Sequence, residues 1–423
     1  MVQTVSVTTA RRAEGDDTMP EDPSSEDLDI SFDENSYILI SQMTRGANPF
    51  TEITDPQFKG QPYYVYKFMP ETAGDGSINW EDGYNFQAIK LESQTDPTDI
   101  ALSWNYIRQN GAVGNGYAFY GLYFPADDTP PESVLDIKYK VETDQSVENG
   151  KNVLKSDILG AYHSTAAPFS RLRFKFYHLN IYLRVNLYVP TYKETPKYVN
   201  GEQTGTEFTG YNGNAVDHGY IVNAIPTFSI NWRSNISTDN TLTVIRPTPQ
   251  TTDSGSDPEG GEGDGTSSGK TDITMYQHKT TGEDNIETID VSKFLPADIL
   301  AQQHLEGNKD DVRCYTFTVI IPVQEPGFTT PTDAKGFMKF TLNAPGTSGL
   351  KKNYYLQGTY GSGASNNNLQ LNQGTRQELN LYIPRKGDDI VLIGAKVNQW
   401  KDVETEMPLT PDPDTSDPEQ NND

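Results

Sequence analysis

The chain has 423 residues, a net charge of −26, only 34% hydrophobic residues, and 24 Tyr and 17 Phe. That charge repels phosphate backbones and anionic headgroups, which argues against nucleic-acid partners, and the length favours two domains. One cysteine, Cys314, excludes an intrachain disulfide, and no apolar run approaches the ~18 residues that span a bilayer.

In chain order, residues 2–9 (VQTVSVTT) read as a short strand with Val5 and Val7 on one face beside Gln3 and Thr9. Arg11 and Arg12 follow. Residues 13–35 then carry ten acidic side chains and no basic one, so this stretch reads as a mobile linker. A first set of strands is expected at 36–42, 63–69, 86–92, 117–125 and 135–142, separated mostly by loops rich in Gly, Asn and Asp.

The most informative stretch is 156–190. Leu172, Phe174 and Phe176 alternate, and the alternation resumes on the opposite parity at Leu179, Ile181, Leu183, Val185, Leu187 and Val189. Period two marks strands with one buried face, and the phase flip at Tyr177–His178 requires a bulge, bend or register change. Arg171, Arg173, Lys175, Asn180, Tyr182, Arg184 and Asn186 are expected to face outward. His178, at the flip, reads as a hydrogen-bonded structural residue.

Further strands are expected at 219–232, 241–246, 314–322, 337–342, 354–357, 377–384 and 389–400. Residues 247–272 contain no apolar side chain and read as a disordered insertion. The segment after Lys401 reads as a disordered acidic tail. Pro296, Ile299, Leu300 and Gly307 suggest one helix at 296–306. Strand after strand with almost no helix excludes doubly wound α/β folds. The expected fold is all-β, as two tandem antiparallel β-sandwiches of transthyretin-like or Greek-key type. Residues 36–155 form the first and 156–400 the second, after a strand at 1–12 and a linker at 13–35 and before a tail at 401–423.

The residues give no sign of catalysis. The five histidines lack metal-ligand spacing, and no nucleophile elbow or phosphate loop is present. Cys314 reads as a bland thiol. Trp80, Glu81, Asp82 and Trp104 could form a sugar site, but filling or capping the first sandwich is the plainer role. No enzyme activity, cofactor or metal is expected.

Four segments, in order, carry a resemblance. They are the polar strand ending in Arg near the start, WNYIRQNGAVGNGYAFYGLYFP (104–125), SDILGAYHSTAAPFSRLRFKFYHLNIYLRVNLYVP (156–190), and LQLNQGTRQELNLYIPRKGDDIVLIGAKVNQW (369–400). In their order and spacing the chain resembles the fimbrillins, the type V pilins of Bacteroidales. The resemblance implies a two-domain β-sandwich subunit of cell-surface fimbriae, exported as an outer-membrane lipoprotein. An Arg-specific protease would remove the first strand, and a strand from another fimbrial subunit would take its place. Processing would fall after Arg11 or Arg12, with Arg45 in SYILISQMTRGANP as the rival, and Val2, Val5 and Val7 would belong to the exchanged segment. The lipidated cysteine would precede Met1. The tail after Trp400 is poor in apolar residues and makes a weak donor, which leaves anchor, tip or adhesin roles open. A surface glycan-binding lipoprotein without catalysis is the alternative, and host or bacterial glycans or proteins are further possible partners.

Overall fold

A computed structural model describes residues 36–43, 64–70, 84–89, 117–125, 136–147, 150–165, 171–210, 216–231, 247–249, 270–278, 286–323, 337–343, 351–356, 373–386, 389–399 and 403–408. Over these residues the protein is all-β.

One sheet has seven strands. These are β1 (Tyr37–Met43), β2 (Tyr64–Pro70), β3 (Tyr84–Ala88), β4 (Tyr117–Phe124), β6 (Leu159–Thr165), β7 (Arg171–His178) and β22 (Val403–Pro408). They lie in the order β22-β7-β6-β4-β1-β2-β3. Between β4 and β6 the chain forms β5 (Asp136–Lys140) and the short helix α1 (Lys151–Lys155). After β7 come β8 (Ile181–Pro190) and the hairpin of β9 (Tyr192–Val199) and β10 (Glu202–Gly210). Next are β11 (Val216–Ala224), β12 (Thr227–Asn231) and β13 (Pro247–Pro249), then β14 (Thr271–Thr274), β15 (Tyr276–Gln277) and β16 (Ile286–Asp290). Helix α2 (Ala297–Ala301) precedes β17 (Lys309–Ile321), β18 (Met338–Asn343), β19 (Lys351–Leu356), β20 (Thr375–Tyr382) and β21 (Asp389–Gln399). The larger sheet runs β14-β11-β18-β19-β21-β20-β8-β17-β15, with β16 also on β17, and β13-β12-β5 form a third.

The two large sheets share one core. Leu39, Val65, Leu122 and Phe124 from the seven-stranded sheet join Leu183, Val185, Phe317, Phe340, Leu379 and Leu381 from the ten-stranded sheet. Strands β1, β2 and β4 also bury their opposite faces. Ile38, Ile40, Tyr66, Phe68, Phe119 and Tyr123 form a second cluster with Phe174 and Phe176 of β7. Burial on both faces explains why YILI, YVYKF and FYGLYF are nearly continuous apolar runs, which a strand wet on one face does not need. Gly121 in β4 makes room for β7, since a Cβ there would lie 3.0 Å from the Phe176 ring.

The phase flip has a specific cause: β7 pairs in the smaller sheet and β8 in the larger. The chain changes sheets at Leu179–Asn180, and with it the buried parity passes from the cluster of Phe174 and Phe176 to that of Leu179, Ile181, Leu183 and Val185. The strand pair expected to open a second domain is thus divided between sheets. Phe174, Phe176, Ile181, Leu183 and Val185 are buried as expected. Asn180, Tyr182 and Asn186, expected to face solvent, are buried too. Tyr182 is covered by Val153 of α1 together with Ile320.

The pairing is mixed, not wholly antiparallel as expected: β20 runs parallel to β8 and β19 parallel to β21. Segment 219–232 breaks into β11 and β12, with Ile225 and Pro226 between them. Pro247–Pro249 and Thr271–Asp272, expected inside a disordered insertion, pair with β12 and sit in β14 respectively. The expected helix at 296–306 is shorter, ending at Ala301. The expected acidic tail contains β22. Segment 241–246 lies outside the described residues.

Candidate functional site

The first site is the β7 edge of the seven-stranded sheet. Its strand, RLRFKFYH, buries Phe174 and Phe176, while Lys175 between them is exposed. The edge is closed by β22, VETEMP. In the antiparallel register Glu404 falls opposite Lys175 and Glu406 opposite Arg173, while Val403 falls opposite Phe176 and Thr405 opposite Phe174. The two acidic residues of the closing strand thus fall opposite two basic residues of β7. Opposite charges across a strand pair contribute roughly 0.2–1 kcal/mol each.

Two sheet changes meet at this corner. β7 leads through Leu179–Asn180 into β8, and β21 ends at Gln399, three residues before β22. Asp157 and His178 pin the first crossing: Asp157 Oδ1 lies 2.9 Å from His178 Nδ1, and both side chains are buried. Asn180 Nδ2 donates to the Ser156 carbonyl at 2.6 Å. Gly374, with φ 66°, donates its N–H to the Asn180 carbonyl, and a Cβ there would lie 3.2 Å from the His178 carbonyl. His178 is therefore the structural residue its position suggested.

The second site is the outer face of the larger sheet. The registers of β17, β8, β20 and β21 set Thr318, Arg184, Glu378 and Lys396 in one row, and Thr316, Asn186, Asn380 and Gly394 in the next. Asn186 ties the second row: its Nδ2 donates to Glu378 Oε1 and Asn380 Oδ1, each at 3.0 Å, and its Oδ1 accepts from Thr316 at 3.1 Å. At one end of this polar band Tyr182, Ile320 and Val153 of α1 form a small apolar cluster. Gln145 secures that end, bonding both the N–H and the carbonyl of Ile320. At the other end Val291, Leu295, Val312 and Tyr382 pack beneath the segment bearing α2. Buried Asp310 anchors that segment's exit, accepting from Tyr382 Oη at 2.6 Å and from Arg385 Nε and Nη2 at 2.8 and 2.7 Å. Burial, then the Asp310 charge, raises the Tyr382 phenol far above its ordinary range.

His278 borders the band, 3.2 Å from Thr318 Oγ1. Burial, then the Arg184 charge, lowers its pKa to about 4. Burial, then the Glu287 charge, pushes the Cys314 thiol up to about 11. At neutral pH that thiol is protonated and a poor nucleophile.

Arg11, Arg12, Arg45, Val2, Val5 and Val7 all lie outside the described residues, as do Trp80 and Trp104. The sequence reading missed the β9–β10 hairpin, although Asn200-Gly201 is a strong hairpin signal and both residues have positive φ. It also missed β22 as a paired strand, although its acidic residues alternate as the basic residues of β7 do.

No family model matches the chain, and no curated protein matches it. Among solved structures, a candidate cell adhesion protein from Bacteroides uniformis is 13% identical, with a TM-score of 0.39, over 88% of this chain and 93% of that one. One from Bacteroides ovatus is 12% identical, with a TM-score of 0.39, over 88% and 89%. One from Bacteroides fragilis is 9% identical, with a TM-score of 0.28, over 88% of each. Likeness this loose transfers no function. Among the described residues no helix is long and apolar enough to cross a membrane.

Proposed function

We propose that the protein is a structural subunit of cell-surface fimbriae that assembles by proteolysis-triggered strand exchange and takes part in adhesion. The observation that carries this reading is the β7 edge. A strand near the end of the chain closes it, in a register matched by charge. Only three residues separate that strand from β21. Short hinges favour exchange of an identical element between copies, because the same contacts re-form in trans. Main-chain bonds along the edge supply affinity and side-chain matching supplies specificity.

In this reading β22 is the donor and β7 the acceptor. An Arg-specific protease cutting after Arg11 or Arg12, or alternatively after Arg45, releases the first strand with Val2, Val5 and Val7. That release loosens the subunit so that β22 of a neighbour competes with the tethered cis strand, whose advantage is its high effective concentration. The outer-membrane lipoprotein anchor belongs to the same proposal. So do the other fimbrial subunits as partners. Adhesion is also the role named for the three Bacteroides proteins, whose loose fit lends it no weight.

The test is to trim the protein with an Arg-specific protease, map the cut by mass spectrometry, and titrate a labelled peptide spanning residues 401–410. Trimmed protein binds the peptide and intact protein does not. Absence of binding by trimmed protein contradicts the proposal.

A further inference from the structure

The polar band on the outer face of the larger sheet offers a recognition chemistry that strand exchange does not use. Three cations gather there: Arg184 and Arg376, both half-buried, and the exposed Lys396. Glu378 lies among them, in the row shared by Arg184 and Lys396. Glu287 stands at the β16 border, opposite Val312 of β17. Arg376 lies over the Tyr182 ring, 5.6 Å from its centroid. In a chain of net charge −26, such a cationic group points to a locally anionic ligand.

The geometry restricts the class further. Strands spaced about 4.8 Å apart give a four-strand band roughly 14 Å across. Between its covered ends it offers amide, hydroxyl, carboxylate and guanidinium groups, not apolar pockets for peptide side chains. Asn186 is held on three sides by Glu378, Asn380 and Thr316, so the donors and acceptors are set before a ligand arrives. The chain's overall negative charge repels long polyanions but leaves a short ligand with one or two carboxylates free to meet the local cations. Guanidinium forks match carboxylates in two-point geometry, and a planar amide–carboxylate surface suits vicinal hydroxyls.

We infer that this band binds a short acidic oligosaccharide, with Arg184, Arg376 and Lys396 meeting its carboxylates and the half-buried Glu378 and Asn380 meeting its hydroxyls. The site is independent of the β7 edge and stands whether or not strands exchange.

The experiment is isothermal titration calorimetry on the whole chain with trigalacturonate, 3′-sialyllactose, neutral galactotriose and hexa-aspartate. At least one acidic sugar binds, and added salt weakens it. Arg184→Gln weakens that binding about tenfold, the exposed Lys396→Gln about threefold, and the neutral sugar binds about tenfold more weakly than the acidic one. Circular dichroism and thermal melting confirm that each variant is folded, and Lys396→Gln keeps the test open if Arg184→Gln is not. Any of three outcomes overturns the inference. These are no binding of either acidic sugar, equal binding by wild type and a folded variant, and binding of hexa-aspartate as tight as that of the sugars.

Discussion

At the scale of single residues, the buried polar groups fall where the chain changes direction or layer. Asp157 and His178 hold the β7–β8 crossing, Asp310 holds the end of β20 through Tyr382 and Arg385, and Gln145 bonds the backbone N–H and carbonyl of Ile320. A lone buried polar group costs about 1–3 kcal/mol, so each of these requires its partner. His278 makes this visible as pH dependence. Its folded pKa of about 4 lies below the ordinary value of 6.5, so below pH 6.5 the unfolded chain binds more protons than the folded one. Stability from this group is complete above pH 6.5, falls as pH drops toward about 4, and is level below that. His163, also lowered by burial, acts in the same direction. Urea denaturation from pH 7 to 4 should show this loss, and His278→Gln should flatten the slope over that window. An unchanged slope in the variant would remove His278 as its source.

At the scale of elements, strand existence was legible and strand partnership was not. Alternation in 172–189 announced two strands and a phase flip, because the side-chain period is a local property of backbone geometry. The cause of the flip was not local. A bulge and a change of sheet both invert parity, and the choice between them depends on β6, β20 and β17, which lie far away in sequence. The same limit explains the parallel pairs: β8 and β20 each read as an ordinary amphipathic strand, and nothing in either spells its direction relative to the other. Outward burial at Tyr182 escaped notice because the covering residue, Val153, belongs to a five-residue helix too short to show a periodic stripe. The two sites differ in the same way. The basic parity of β7 was readable, whereas the band of Arg184, Glu378 and Lys396 exists only once three strands are in register.

The β9–β10 hairpin illustrates an element stabilised almost wholly by itself. Its two strands pair with each other and with no other sheet among the described residues, and Tyr198 is 61% exposed near its tip. Gly201, with φ 85° and open space around its Cβ position, is there for backbone conformation alone. Gly201→Val places a β-branched residue in that region at a cost of about 1–2 kcal/mol. Because the ribbon opens locally, hydrogen exchange should accelerate in 192–210 while the global melting temperature stays nearly constant. A matching fall in global stability would show that the hairpin is coupled to the core.

At the scale of the whole molecule, one contiguous core joins the two large sheets, and the chain threads between them at adjacent corners. The last crossing places β22 at the rim of the smaller sheet, where it can leave without disturbing the strands of the larger one. Unpaired, β7 would present a row of free N–H and C=O groups, a template for another strand. The accounts of assembly and of sugar binding are separable, since they use opposite sides of the molecule's architecture: a sheet edge in one case and a sheet face in the other.

The exchange at β7 is tested most directly by crosslinking across its register. Lys175 and Glu404 are Cα partners, and directly opposed antiparallel residues lie about 4.5–5.5 Å apart, within disulfide reach. With Cys314→Ser as background, one sample carries Lys175→Cys and another Glu404→Cys; the two are mixed, trimmed with an Arg-specific protease, and oxidised. Strand exchange predicts disulfide-linked dimers of the two variants in the trimmed mixture and none in the untrimmed one. Trimmed chains that form no mixed dimer, while the double variant still closes its disulfide within one chain, would contradict it.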